Sequence, residues 1–327
     1  MINVQKILKF INIIKKERII LWRKKVCVIV LSVICVTSLV LYGCGENTQQ
    51  SSETESEEGL NIITTISIIA DFVENIIGDR SSVTYLVPIG EEPEEYEPVP
   101  SDFRKIADAD IVFANGVNLE EWLERIMRNV GDTEVVYVTK GAPTLTLVDT
   151  DIEDPHLWLD VRYVIDYYVK NIVDTLITID PEGESIYRQN SKAYTDELIA
   201  LEEWIVKKLS EVPQENRIII ISENACKYLG DAYGFEAEGI WELNAHEEGT
   251  PQQISRIVDL VKERKIPAVF VETTVDERYM QMISNETGVA IAGTLYTDAV
   301  GVKGSGADTY IKMMRHNIKV IVSGLGE

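Results

Sequence analysis

DPEGESIYRQNSKAYTDELIALEEWIVKKLSEVP, residues 180–213, decides the architecture of this 327-residue chain. Its apolar residues Tyr187, Tyr194, Leu198, Leu201, Ile205 and Leu209 advance by 7, 4, 3, 4 and 4 positions, the spacing of one helix face. Asp180-Pro181 opens the segment and Val212-Pro213 closes it. Some 30 helical residues would span roughly 45 Å, about the length of two small domains laid end to end. Such a helix between two lobes is a stiff strut rather than a loose hinge.

On both sides of the strut the pattern changes to short β runs alternating with helical spacing. Upstream, Asn61–Thr65, Ser82–Val87, Ile111–Ala114 and Glu134–Val138 read as strands, separated by helices over Ile69–Ile77, Asp102–Ala109 and Leu119–Asn129. Downstream, strands over Arg217–Ile221, Ala268–Val271 and Val289–Ala292 alternate with helices over Asn224–Ala232, Pro251–Lys265 and Thr309–Ser323. The helix from Pro251 has a sharp start, with Thr250 as cap and Gln253 closing a capping box. Alternation of this kind predicts an α/β fold of two parallel-sheet lobes, residues 60–180 and 213–327, joined by the long helix 181–212.

Charge and cysteine usage narrow the function. Formal charge is −23, yet residues 1–43 carry +7, which leaves −30 on the remainder. A body that acidic repels phosphate backbones, so nucleic acid is excluded as a partner and cations fit. Cys27, Cys35, Cys44 and Cys226 form no CxxC, zinc or disulfide spacing, and Cys226 reads as a small core residue. Arg23-Lys24-Lys25 precede an apolar run from Val26 to Leu41 that ends in Leu41-Tyr42-Gly43-Cys44. A basic region, about 16 apolar residues and a small residue before the cut describe a secretory signal over 1–43, the alternative being a retained membrane anchor. Cysteine at the cut is like a bacterial lipoprotein signal, with Cys44 lipidated as the mature N-terminus. Residues 44–59 then form an acidic tether, since Gly45–Gly59 holds five Glu and no Lys or Arg.

Ligands of open parallel sheets bind beyond the carboxyl ends of strands. Polar residues at those ends are Gly90-Glu91-Glu92-Pro93-Glu94-Glu95-Tyr96-Glu97-Pro98, Ser222-Glu223, Glu272 and Thr297-Asp298, and His156 stands in Asp154-Pro155-His156-Leu157-Trp158. No G-x-S-x-G elbow, Walker loop or G-x-G-x-x-G follows a strand, and Gly301–Gly306 fits a surface loop. Carboxylates with one histidine instead make a divalent-metal donor set.

The chain resembles the solute-binding lipoproteins of manganese and zinc ABC importers, a family that includes streptococcal adhesin-type lipoproteins. The resemblance runs from Asn61 to about Leu325. It rests on Thr64-Thr65-Ile66 with Asp71, the loop Gly90–Asp102, Asn115-Gly116 with Leu119-Glu120 and Trp122-Leu123, and Asp154 to Asp160. Further anchors are Ser222-Glu223, Trp241-Glu242-Leu243-Asn244, Val271-Glu272 and Tyr296-Thr297-Asp298. It implies a metal cleft between the lobes and four metal-holding side chains, two from each. His156, Glu223 and Asp298 match three of them. Where the family loop reads Asp-Pro-His-Glu-Tyr-Glu-Pro, Glu94 stands in the place of the first His, with Glu92 or Glu95 as substitutes.

Each candidate has a plainer reading. Glu94 can be a solvated acid, His156 or Glu223 a helix cap, and Asp298 a turn residue. Glu272 reads as a holder of nearby backbone, His246 as a surface residue and His316 as structural. The resemblance implies an extracytoplasmic, lipid-anchored monomer, not an enzyme, that binds one Mn2+ or Zn2+ and no organic cofactor. Its partners are then a membrane ABC permease with its ATPase, and the bilayer through Cys44. The alternatives are a relative with a degenerate metal site serving as an adhesin, marked by Glu94 turned to solvent, and an extracytoplasmic metalloenzyme with an open coordination position.

Overall fold

Four short parallel strands, β1 (Ile62–Thr64), β2 (Val83–Tyr85), β3 (Ile111–Ala114) and β4 (Val135–Tyr137), form the upstream sheet in the order β2-β1-β3-β4. The computed structural model describes residues 59–243 and 249–326. The signal, Cys44, the tether up to Glu58, and His246 lie outside them. β1 and β3 are fully buried, which is why both read as unbroken apolar runs rather than alternating ones. Helices α1 (Ser67–Ile77), α2 (Pro100–Ala107) and α3 (Glu121–Val130) make the crossovers.

From Leu157 to Ile179 the chain is largely helical, a stretch that the strand-and-helix spacing did not pick out. It comprises a 3-10 turn (Leu157–Leu159), one α turn (Val161–Tyr163), a π-helical segment (Val164–Val169) and α4 (Lys170–Ile179). The strut follows as α5, Glu184–Leu209, whose 26 residues span about 39 Å. Its buried residues are Tyr187, Tyr194, Leu198, Leu201, Ile205 and Leu209, the six that define the helix face in the sequence. Pro181–Gly183 form a separate 3-10 turn, where Asp180 accepts from the backbone N–H of Gly183 and pairs with Arg80.

Downstream, β5 (Ile218–Glu223) pairs in parallel with β6 (Glu236–Trp241), and β7 (Ala268–Glu272) with β8 (Ala290–Leu295). The connecting helices are α6 (Lys227–Tyr233), α7 (Pro251–Arg264), α8 (Arg278–Thr287) and α9 (Tyr310–Leu325). β6 and α8 went unread in the sequence. Glu236-Ala-Glu-Gly-Ile-Trp buries only its last three residues, so it shows no strand-length apolar run. α6 begins three residues later than expected because the Asn224 N–H still bonds the Trp241 carbonyl, prolonging the β5–β6 pairing.

One hydrophobic core runs from Ile62 through α5 to Leu325, taking in residues of both lobes, and a smaller cluster lies between β5–β8, α7 and α8. Direct hydrogen bonds stitch the lobes together. The Val300 N–H donates to Ser67 Oγ, the Tyr310 N–H to Asp71 Oδ2, the Tyr310 hydroxyl to the Trp158 carbonyl, and the Tyr228 hydroxyl to the Asp154 carbonyl. Among the described residues no helix is long and apolar enough to cross a membrane.

Candidate metal centre

Glu94 lies in an acidic loop, and the residues beside it decide which way it points. The Trp122 indole donates to the Pro93 carbonyl at 2.7 Å, and the Tyr96 hydroxyl donates to Asp102 Oδ2 at 2.7 Å. Tyr96 and Trp122 also meet edge to face at 5.1 Å, so the loop is clamped on both sides of Glu94. The clamp turns the Glu94 side chain inward, where it is 5% exposed, while Glu95 faces solvent.

His156 is fixed by Asp154. Its ring Nδ1 lies 2.9 Å from Asp154 Oδ1, which also accepts the backbone N–H of His156 at 2.9 Å. A carboxylate on Nδ1 keeps the proton there and leaves the Nε2 lone pair for a metal. The plain reading of His156 as a helix cap does not hold: its side chain makes no cap to the turn that follows.

Glu223 ends β5 and Asp298 lies just beyond β8, so both stand at carboxyl ends of strands. Glu272, at the end of β7, accepts the N–H groups of Ser222 and Glu223 on its Oε1, at 3.1 and 2.9 Å. It therefore holds backbone, bridging β5 and β7 where no strand ladder joins them. Asp298 Oδ2 accepts the hydroxyls of Thr274 and Thr297, both at 2.8 Å. The Trp158 indole donates to the Thr297 carbonyl at 2.7 Å, tying the His156 and Asp298 segments across the lobes.

Glu94, His156 and Glu223 come together as one group, and Asp298 joins it through His156. His156 Nε2 lies 3.3 Å from Glu223 Oε1, 3.3 Å from Asp298 Oδ1 and 4.0 Å from Glu94 Oε1. Ligand atoms of Glu94, His156 and Glu223 all fall within 4.8 Å of one another. A tetrahedral set bound at about 2.1 Å has edges of about 3.4 Å; the two 3.3 Å gaps match such edges, and the 4.0 Å gap to Glu94 is wider. Five buried atoms here have no hydrogen-bond partner: both oxygens of Glu94, Nε2 of His156, Oε1 of Glu223 and Oδ1 of Asp298. Buried polar atoms are normally paired, and orphans converging on one point mark a ligand site.

Protonation follows from crowding the same charges. Burial and the neighbouring Asp298 push the Glu94 carboxyl up to about 8, and burial with Glu94 raises Glu223 well above the ordinary range. Burial works against the charged imidazolium of His156, but Asp154, Asp298 and Glu223 more than offset it and raise it. Burial would likewise raise Asp298, yet His156 and the hydroxyls of Thr274 and Thr297 hold it below its ordinary value. Three carboxylates around one point exceed the charge of a single divalent ion by one.

Asp154, Thr274 and Thr297 are the supporting residues that sequence reasoning passed over as site residues. Asp154 had a visible signal, an acid two residues before a candidate His, whereas Thr274 had none. His316 lies in α9, with Nε2 3.0 Å from the Thr294 carbonyl and its ring against Tyr296, a structural placement. Cys226 is a free thiol buried in the core, and burial raises its pKa.

Residues 62–324 match the family model described as "Zinc-uptake complex component A periplasmic". The manganese-binding lipoprotein MntA of Halalkalibacterium halodurans is 55% identical over 93% of this chain and 100% of its own length. The manganese ABC transporter substrate-binding lipoprotein PsaA of Streptococcus pneumoniae is 36% identical over 91% of this chain and 98% of its own. Among solved structures, the periplasmic zinc-binding protein TroA of Treponema pallidum superposes with a TM-score of 0.78 at 28% identity, covering 82% of this chain and all of that one. A manganese-bound periplasmic metal-binding protein from Candidatus Liberibacter asiaticus gives 0.74 at 26% identity, over 81% of this chain and 98% of that one.

Proposed function

Because the chain belongs to the periplasmic zinc-uptake component A family, we propose that it is the metal receptor of an ABC importer, capturing one divalent transition-metal ion outside the cytoplasm and handing it to the membrane permease. Manganese or zinc is the cargo, and Glu94, His156, Glu223 and Asp298 are its ligands. The observation that carries this reading is the set of five orphaned buried atoms on Glu94, His156, Glu223 and Asp298, close around His156 Nε2.

The negative body concentrates cations, and the site replaces the ion's water shell with carboxylates and one imidazole. Enclosure suits cargo: the four side chains are at most 5% exposed, which favours holding a bare ion over turning over an organic substrate. The adhesin alternative predicts Glu94 facing solvent, and the Trp122 and Tyr96 clamp instead points it inward. We take residues 60–180 and 213–327 as the two lobes that close on the ion, with the 181–212 segment as their strut. Lipidation at Cys44 would keep a monomeric receptor beside its permease.

Titration of the metal-stripped protein with manganese tests the reading. One ion should bind per chain, and His156→Ala and Glu223→Gln should each weaken binding more than tenfold. Variants that bind as the parent does would remove these residues from the site.

A further inference from the structure

Lys227 opens α6, at the end of a helix where the dipole favours acids over bases. Contacts outside the helix hold it there. Its Nζ pairs with Glu242, just beyond β6, and donates to the Thr146 carbonyl at 3.4 Å, leaving the side chain 10% exposed. The same ammonium lies 3.8 Å from Asp154 Oδ2.

Asp154 is the residue that fixes the His156 ring. It is fully buried, and its Oδ1 takes both the backbone N–H and the ring Nδ1 of His156, each at 2.9 Å. Those two contacts use both lone pairs of that oxygen. Its Oδ2 is buried and has no hydrogen-bond partner. A buried charge left bare on one side is costly unless a counter-charge meets it. Lys227 supplies that counter-charge at the oxygen His156 does not use.

Glu242 extends the bridge to a second ligand-bearing segment. Its Oε2 accepts the Val148 N–H at 2.9 Å, and its Oε1 accepts from the Asn224 amide at 3.1 Å. Asn224 follows Glu223 in the chain, and Asp154 stands two residues before His156. The series Asp154, Lys227, Glu242, Asn224 therefore runs from a segment upstream of α5 to one downstream of it. Its ends adjoin the two residues whose donor atoms, His156 Nε2 and Glu223 Oε1, lie 3.3 Å apart.

We infer that Lys227 is a positioning residue of the metal centre, which acts through Asp154 to hold the His156 ring with Nε2 toward Glu223. The inference rests on the reading of this centre as a divalent-metal site. The sign of the effect separates this role from bulk electrostatics. Coulomb attraction alone predicts that deleting a positive charge near a cation site tightens binding. Positioning predicts the reverse, because without Lys227 the Asp154 carboxylate loses the contact that sets its plane. Groups that orient a ligating histidine are worth about 10–100-fold in metal affinity, and Lys227 acts one contact further out.

A double-mutant cycle on the intact, metal-stripped protein decides it, with free manganese read from its electron paramagnetic resonance signal. Lys227→Met should weaken manganese binding about fivefold or more in the parent background. In an Asp154→Asn background the same change should cost less than about twofold, since the residue it acts through is already altered. Lys227→Gln removes the charge with a polar side chain and should follow the methionine variant, so the inference stays testable if that variant does not fold. Unchanged or tighter binding in the Lys227 variants overturns the positioning role. An equal loss in both backgrounds overturns it as well, because Lys227 then acts by a route other than Asp154. A parent that binds no manganese overturns the metal-site reading itself, a different and recognisable failure.

Discussion

Asp71→Asn should flatten the dependence of folding stability on pH. Asp71 lies in α1, 8% exposed, and its Oδ2 accepts the N–H of Tyr310 at the start of α9 and the hydroxyl of Tyr194 on α5. Burial dominates and, despite those two donors, raises its pKa from 3.8 to about 6. The sign follows from proton counts. Below about pH 3.8 the carboxyl is protonated in both states and contributes nothing to the pH dependence. Between about 3.8 and 6 the unfolded chain gives up the proton first, so stability falls as pH rises. Above 6 both states are ionised and the folded one carries a constant penalty. A displacement from 3.8 to about 6 corresponds to about 3 kcal/mol. Asparagine keeps the size and the accepting oxygen but cannot ionise. The stability difference, variant minus parent, should therefore climb by about 2.4 kcal/mol between pH 4 and pH 7. Urea unfolding of both proteins in the presence of a chelator measures it, and contributions from Glu120, Glu272 and Glu94 cancel in the difference. Parallel profiles would show that Asp71 is not a buried, strained acid and would refute the reasoning.

Other expectations concern the centre and its lobes. Glu94→His exchanges a hard two-oxygen donor for a borderline nitrogen, so zinc should gain on manganese, each tenfold change in the ratio being worth about 1.4 kcal/mol; an unchanged ratio in competitive titration places Glu94 outside the coordination sphere. Tyr310→Phe removes the hydroxyl that donates to the buried Trp158 carbonyl and should cost about 1–2 kcal/mol in urea unfolding; no loss would mean that this bond between the lobes is idle. Because the Glu94 carboxyl is pushed up to about 8 and His156 is raised as well, protons compete with the cation, and manganese affinity should rise from pH 6 to pH 8; a flat profile contradicts that competition.

The strut and the strand-end logic were legible in the sequence because both depend on local pattern. Six apolar residues spaced for one helix face became the six buried residues of α5. Strand ends put Glu223 and Asp298 among the candidates, and a lone His between Asp-Pro and apolar residues added His156. Glu94 was harder. One acid among five in a loop has no local mark, and what selects it is Trp122 and Tyr96 clamping the backbone on either side, a tertiary effect. β6 escaped because only its last three residues are buried. Thr274 escaped because its importance is a single hydrogen bond to a residue 24 positions away. The second sheet was read as one parallel array, whereas the structure has two pairs, β5–β6 and β7–β8, with Glu272 bridging their ends. A carboxylate substituting for ladder bonds leaves no trace in strand periodicity.

The most direct test is anomalous diffraction at the manganese edge from crystals of the manganese-loaded protein. The account predicts one strong peak per chain, about 2.0–2.5 Å from Nε2 of His156, Oε1 of Glu223, Oδ1 of Asp298 and at least one oxygen of Glu94. A peak elsewhere, or density at this point with Glu94 turned away from the ion, would contradict it.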